Sequence, residues 1–398
     1  MSDSKSKKVF AVMRIILMCA GFWNQSISKN RLINKIFHGY SVFVKLSCLV
    51  FWLLILAETS RLIICQYEIT IITASVAILL TDTKIVVKIV IFLKHNILDI
   101  VADVIENKDE IRTEHYKEIK MLYDRKANFL KFAISVLGGS TTGAVFLLQG
   151  SGGALVLQDR KHNKLFNDTV ETHGMYQTIF PLHRNNHIYW LFATEVFWSY
   201  LGITANIVTQ LICVIILLHA ASRLEVLQVR FKHLIMPDFQ IKASDEDMKA
   251  KVTELKSIIR KYQLTIRFIN EFNQSTKYIT MIEFCLSTFD MASCCASLTK
   301  MKGYESVWLL FFMMVLLTQL YLIGWTANEI RVQSEAIATA LYESNWYELN
   351  KEGRQLILIS MIRAQRPLNI NIGPMGPMTT RSILTVLKGA YSYINIMR

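Results

Sequence analysis

Seven stretches of the chain are apolar over a length that suits a bilayer: Tyr40–Ile64, Thr70–Leu93, Phe129–Leu157, Ile188–Ala221, Tyr278–Leu298, Val307–Ala327 and Met378–Met397. A helix needs about 20 such residues to cross the hydrocarbon, so each is read as a transmembrane helix. The pattern is imperfect. Asp82, Lys84 and Lys88 interrupt the second stretch, and the run "GGSTTG" interrupts the third. Such breaks suit helices that line cavities or pack on one another, rather than helices facing lipid all round.

The links between these stretches also carry helical spacing. In "SDEDMKAKVTELKSIIRKYQLTIRFINEFNQSTKYITMIEF", apolar side chains recur at Val252, Leu255, Ile258, Ile259, Tyr262, Ile266 and Ile269, the period of an amphipathic helix. Ser244 and Asp247 form a capping box with a shortened acid. This helix is expected to run into the fifth span. The segment "ANEIRVQSEAIATALYESNWYELNKEGRQLILISMIRAQ" is amphipathic too, and its Tyr342, Trp346 and Tyr347 suit a packed bundle. Three of the five prolines, Pro367, Pro374 and Pro377, cluster with Gly373 and Gly376. They predict one helix ending near Arg366 and another opening near Met378. The N-terminal "MSDSKSKKVFAVMRIILMCAGF" is followed by polar sequence without a good cleavage site, so it is read as an amphipathic segment on the inner membrane surface rather than a signal peptide.

Composition agrees. The chain is 52% hydrophobic and 19% charged, with mean hydropathy +0.32, too apolar for a soluble enzyme of this size. The net charge of +13 does not imply nucleic acid, because the basic residues lie between apolar stretches. There they report topology. Lysine and arginine are dense before the first span and in the links after the second, fourth and sixth. The other links are poorer, with Arg61, then Arg160, Lys161, Lys164 and Arg184, then Lys300 and Lys302. The N-terminus is therefore expected in the cytoplasm and the C-terminus outside, the reverse of a G-protein-coupled receptor at its N-terminus. The sequon Asn167-Asp168-Thr169 then falls in an extracellular loop and marks Asn167 as a glycosylation candidate.

No catalytic motif is present, and no Cys or His spacing suggests a metal. The chain is not read as an enzyme and no cofactor is expected. Most of the seven cysteines read as small apolar helix residues, with a bridge from Cys65 to Cys294 or Cys295 left open. Lys45, Glu58, Asp82, Lys84, Glu195, Glu283 and Asp290 lie within spans and are functional suspects for that reason.

The last helix carries a further pattern. At about 100° per residue, Ser382, Thr385, Gly389 and Ser392 fall in one stripe with Ile396, and bulky apolar residues fill the opposite side. Small polar stripes suit close helix packing or a water-filled pore closed by an apolar ring. Lys388 lies off the stripe.

Three stretches, "SEAIATALYESNWYEL", "LILISMIRAQRPLNINIG" and "RSILTVLKGAYSYINIMR", closely resemble the C-terminal signature of insect odorant receptors, most densely from Leu316 onward. The resemblance implies an all-α, seven-helix, odorant-gated cation channel, assembled as a tetramer around a pore lined by each subunit's last helix. Residues 1–39 would be a cytoplasmic N-terminal segment, 40–330 the first six transmembrane helices with an outer ligand pocket, 331–377 the cytoplasmic anchor and Pro/Gly break, and 378–398 the pore helix. Ile396 matches the gate position and Tyr393 a frequent neighbouring aromatic, with the chain stopping at the outer mouth of the pore. The link between spans four and five is shorter than in the family's co-receptor, so the chain resembles a ligand-tuning subunit that needs the co-receptor as partner, in the plasma membrane of olfactory sensory neurons. "SYINIMR" lacks the Gln-Phe ending of gustatory receptors, which rank second. A secondary transporter would show internal repeats, and none is seen.

Depth and the family's pocket placement nominate Thr73, Ala77 and Leu80; Ser140, Thr141 and Ala144; Trp198, Ser199 and Gly202; and Phe311, Phe312 and Val315 as contacts for a small volatile molecule, held mainly by apolar and aromatic contact. No charged group is among them, so no ligand class is singled out.

Overall fold

The computed structural model describes residues 5–67, 69–106, 117–166, 187–234, 244–298 and 304–397. These form ten α-helices and no strand: α1 (Lys5–Cys19), α2 (Arg31–Ile64), α3 (Ile69–Lys94), α4 (Ile97–Glu106), α5 (Lys117–Phe166), α6 (Ile188–Lys232), α7 (Asp245–Leu298), α8 (Tyr304–Glu343), α9 (Lys351–Ala364) and α10 (Thr380–Met397). Six of the predicted spans lie wholly within one helix. The seventh begins at Thr380 rather than Met378, because the Thr379 N–H donates to Ser382 Oγ at 3.2 Å and the Ser382 N–H lies 3.4 Å from Thr379 Oγ1, a reciprocal cap that fixes the first turn.

Two expected features differ. The "GGSTTG" run does not break α5. Ser140 and Thr141 hydroxyls donate to the carbonyls of Val136 and Leu137, both at 2.6 Å, so the polar groups are satisfied within the helix. The N-terminal segment is not merely laid on a surface either. Val9, Met13 and Leu17 are buried in the main core as α1 packs on α4 and α5. The spacing of four places the three on one helical face.

Cross-links between helices give their directions. Trp52 bonds Thr83 and Thr59 bonds Ser75, so α2 and α3 run antiparallel. Lys88 meets Glu283 and Lys84 meets Asp290, so α3 and α7 are antiparallel as well. By contrast α6 and α8 run parallel, joined by Gln319 to Asn206 and Gln333 to Gln228. Beyond their apolar stretches α5, α6, α7 and α8 continue as one bundle with α9, here called the basal end. There Glu225 meets both Arg125 and Lys126, Lys126 also meets Glu329, and Lys256 meets Glu352 at 2.6 Å. The predicted capping box opens α7: Ser244 N–H donates to Asp247 Oδ2 at 3.0 Å and Asp247 N–H donates to Ser244 Oγ at 3.2 Å. Bonds from Ser244 hold the Asp247 carboxyl below its ordinary range.

Four helices among the described residues are long and apolar enough to cross a membrane by composition alone: α2, α5, α6 and α8. Lys84 and Lys88 of α3 are instead paired with Asp290 and Glu283 of α7 across the bundle, so those two helices can sit within it.

Candidate functional site

Toward the opposite, distal end, α2, α3, α5, α6 and α8 line a cavity of about 90 Å³. Its walls are mostly apolar: Phe51 from α2; Ile78 and Ile85 from α3; Ala144, Val145 and Leu148 from α5; Trp198 and Ile203 from α6; Trp308, Phe312, Val315 and Leu316 from α8. Two aromatic pairs stiffen it. Phe51 stacks on Trp198 with ring centroids 5.1 Å apart, and Trp308 stacks on Phe312 at 5.5 Å. Such pairs resist rearrangement beyond their area alone. The volume holds a few waters or a very compact guest; a larger ligand requires side chains to move.

Seven of the twelve predicted pocket residues line this cavity: Thr141, Ala144, Trp198, Ser199, Gly202, Phe312 and Val315. Five do not. Ser140 turns its hydroxyl back on its own helix, and Phe311 is 44% exposed on the outer face of α8. Thr73 and Leu80 are half-buried and Ala77 is buried, all away from the cavity. The helix α3 is turned relative to the expectation. It presents Ile78, Thr81, Asp82 and Ile85, an i, i+3, i+4, i+7 face. Nearly uniform apolarity hides that phase in the sequence. The polar lining residues Asn206 and Gln319 carry no signal that singles them out, whereas Asp82 stands out as an intramembrane charge without revealing that it faces the cavity.

Beneath the cavity lies a continuous polar layer. Gln319 Nε2 donates to Asn206 Oδ1 at 3.0 Å. Gln210 Nε2 donates to Glu283 Oε1 at 2.8 Å and lies 3.3 Å from Gln319 Oε1. Lys88 reaches Glu283 at 2.7 Å, while Lys84 reaches Asp290 at 2.5 Å. Asp290 is fully buried, and Thr81 Oγ1 donates to it at 3.3 Å. Breaking such a pair from one side leaves a buried charge alone, which is far costlier than the pair is beneficial.

The other side of α7 carries the final helix. A Cβ on Gly389 would stand 3.3 Å from Thr288 Cγ2, and one on Gly324 of α8 would stand 2.6 Å from Ile383 Cδ1. Both glycines therefore permit close approach of α10. Ile383 and Val386 are buried against the bundle, whereas Leu384, Thr385, Leu387, Lys388, Tyr391 and Ser392 are exposed. Of the predicted stripe, Ser382 caps the helix through its bond to Pro377 O at 2.9 Å, Gly389 faces α7, and Thr385 and Ser392 lie open. Tyr393 and Ile396 lie within α10, and their side chains fall outside the described residues, as does Asn167 entirely.

The turn before α10 is fastened at several points. Leu368 N–H donates to Ser334 Oγ at 2.9 Å and Asn371 N–H to Asn273 Oδ1 at 2.8 Å. Ile372 N–H meets Gly376 O and Met378 N–H meets Ile370 O. Gly373 and Gly376 have positive φ, 50° and 106°, which a side chain would oppose. No cluster of metal-ligating groups occurs among the described residues, and the seven cysteines are unbridged.

These features define an all-α membrane protein built around a small apolar cavity with a polar floor. The 7tm Odorant receptor family model matches residues 42–391, and the chain belongs to that family. Odorant receptor 10 of Aedes albopictus is 28% identical over 156 residues, 39% of this chain and 41% of that protein. Odorant receptor Or2 of Anopheles gambiae is 26% identical over 148 residues, 36% and 39% of the two chains. The matched region thus spans about two fifths of these relatives. The structure of the insect olfactory receptor OR5 from Machilis hrabei superposes with a TM-score of 0.78 at 14% identity, covering 98% of this chain and 97% of that one. The same receptor in complex with eugenol gives 0.76, again at 14% identity and with 98% and 97% covered. At that identity the likeness shows the fold. The relatives and solved structures that it matches are insect odorant receptors, not enzymes.

Proposed function

We propose that this chain is a ligand-tuning subunit of an odorant-gated, non-selective cation channel, working in a heterotetramer with the family's co-receptor. The observation that carries the reading is the apolar cavity. It is joined through one polar layer to α7, and α7 in turn bears the final helix. A small volatile molecule entering the cavity displaces the aromatic walls, and α7 passes the change to α10. Binding then favours a state in which the last helices separate. The polar stripe lines the conduction path, with Ser382, Thr385, Gly389 and Ser392 leading to Ile396 as an apolar gate that closes by dewetting and Tyr393 beside it. The exposed bulky residues Leu384, Leu387 and Tyr391 support a neighbouring subunit or lipid beside that stripe. Exposed Leu358, Ile359, Ile362 and Tyr342 at the basal end support an anchor between subunits.

The domain assignment follows: 1–39 as an N-terminal segment in the cytoplasm, 40–330 as the ligand-binding helices, 331–377 as the cytoplasmic anchor and break, and 378–398 as the pore helix ending outside. Asn167 would carry glycan on the outer loop, and the assembly would act in the plasma membrane of olfactory sensory neurons. Whole-cell recording with and without the co-receptor, across an odorant panel, tests the reading. Odour-evoked currents that need both chains are expected. Substrate uptake without conductance would overturn it in favour of a transporter.

A further inference from the structure

The cavity contains a carboxylate that the surrounding protein leaves unmet. Asp82 is about 9% exposed and lines the cavity. Its Oδ2 is buried and has no hydrogen-bond partner among the described residues. The obvious cations beside it are engaged elsewhere. Lys84, two residues along, is held by Asp290, and Lys88 is held by Glu283. The layer therefore sets three carboxylates, Asp82, Glu283 and Asp290, against two lysines. A buried polar group without a partner is costly, and native proteins leave few of them.

The neighbouring hydroxyls sharpen the chemistry. Thr141 donates its proton to Leu137 O at 2.6 Å, Ser199 to Glu195 O at 2.8 Å, and Thr81 to Asp290 at 3.3 Å. Each hydroxyl has one proton. With those protons committed, all three can offer the cavity only acceptor lone pairs. Asn206 accepts from Gln319 through Oδ1, which leaves its amide nitrogen as a donor in the same lining. A guest matched to this surface needs an apolar body and a head that donates to a carboxylate and accepts from an amide.

We propose that Asp82 is a specificity-determining anchor for a hydroxyl-bearing ligand, an alcohol or a phenol, whose O–H donates to the carboxylate while its oxygen accepts from Asn206. The inference rests on the cavity being the odorant site. It adds to that reading the class of ligand and the residue that selects it. An ester or ether of the same shape fills the apolar walls but leaves Asp82 as unmet as before, so it binds less tightly. A site built to hydrogen-bond a hydroxyl discriminates against the analogue that lacks it far more strongly than an apolar pocket discriminates by size.

The test uses the full chain recorded with its co-receptor and matched probes: 1-octanol, benzyl alcohol and phenol, each against its methyl ether. In the unaltered receptor the hydroxyl compounds should be the more potent, by about tenfold to a hundredfold, the range of a hydrogen bond to a charged group. Asp82→Leu, which removes the acceptor, should abolish that ratio, and Asp82→Asn, which keeps a neutral acceptor oxygen, should shrink it, while ether responses persist. Ethers equal to or better than alcohols in the unaltered receptor would overturn the proposal, even if neither variant reaches the surface. So would variants that weaken both members of each pair alike. Ala144→Phe, which fills the cavity, is the control for the underlying reading. If it leaves every response unchanged at normal surface levels, the cavity is not the odorant site. If it alters all responses while the Asp82→Leu variant keeps the full preference for hydroxyl compounds, only the anchor fails.

Discussion

The cavity and the Pro/Gly turn before α10 both place polar groups in apolar surroundings, yet they treat them in opposite ways. At the turn the backbone N–H groups of Leu368, Asn371, Ile372 and Met378 each have a partner, with the side-chain Oδ1 of Asn369 as the exception. At the cavity and its floor, Asp82 Oδ2, Gln210 Oε1 and Asp290 Oδ1 have none among the described residues. A satisfied cluster is rigid and has little to offer an incoming molecule. An unsatisfied one retains binding capacity at a cost in stability. The turn is thus built to hold the final helix in place, and the cavity is built to be completed by something else.

The largest effect should come from the polar layer beneath the cavity. Lys88 is 2% exposed and its partner Glu283 is 8% exposed. Lys88→Met leaves Glu283 buried without its ion-pair partner, hydrogen-bonded to Gln210, a loss of about 3–5 kcal/mol. Most of the receptor should fail to reach the cell surface, as counted by labelling an extracellular tag. Lys88→Met with Glu283→Gln removes the charge from both sides and should recover most of it. If the double variant is no better than the single one, the layer is not held by charge pairing.

Next in size is the contact that seats α10. A side chain at Gly324 would meet Ile383 at 2.6 Å, so Gly324→Val should cost about 1–3 kcal/mol through overpacking. The change lies below the cavity, so current per surface receptor should fall while the order of odorant potency stays. Shortening the partner by Ile383→Ala in the same chain should restore current. A changed potency order would mean that α8 transmits the disturbance to the cavity and that the two regions are not separate.

The helices were legible because apolar runs of membrane length seldom arise except where a chain crosses a bilayer. The cap at Ser244 and the Pro/Gly break were legible because their residues are specific. The orientation of each helix was legible only where its composition was uneven. On α6, Trp198, Ser199 and Gly202 stand out from aliphatic neighbours, and all three line the cavity. On α3, "ITIITASVAILLTDTKIVV" is apolar on nearly every side. The predicted face, Thr73, Ala77 and Leu80, is turned away from the one that lines the cavity. Adjacent Phe311 and Phe312 are alike in sequence, and only tertiary packing sends one outward. Pairings were not legible at all. Lys84 and Asp290 are 206 residues apart, and knowing that Asp82 is left over requires knowing that Lys84 is taken.

The smallest expected effect bears most directly on the division between the two regions. Asn273 of α7 accepts the Asn371 N–H at 2.8 Å in a part-buried setting. This is one of the bonds that tie the turn to the helix running past the polar layer. Asn273→Ala leaves that N–H without its acceptor, at about 1–3 kcal/mol at most, and less if water reaches it. Asn273→Asp keeps the acceptor oxygen and should behave close to the unaltered chain. If the turn sets the resting position of α10, the alanine variant shifts the balance between closed and open channels. Current in the absence of odorant, or the maximal evoked current, should then change severalfold. Since Asn273 is remote from the cavity lining, every ligand's potency should move by one common factor, because a shift in a shared equilibrium scales all apparent affinities together. Dose–response curves for three chemically different odorants read this directly. Curves that move by different factors would show that the turn shapes the cavity itself, and the contrast between a completed scaffold and an incomplete site would no longer hold.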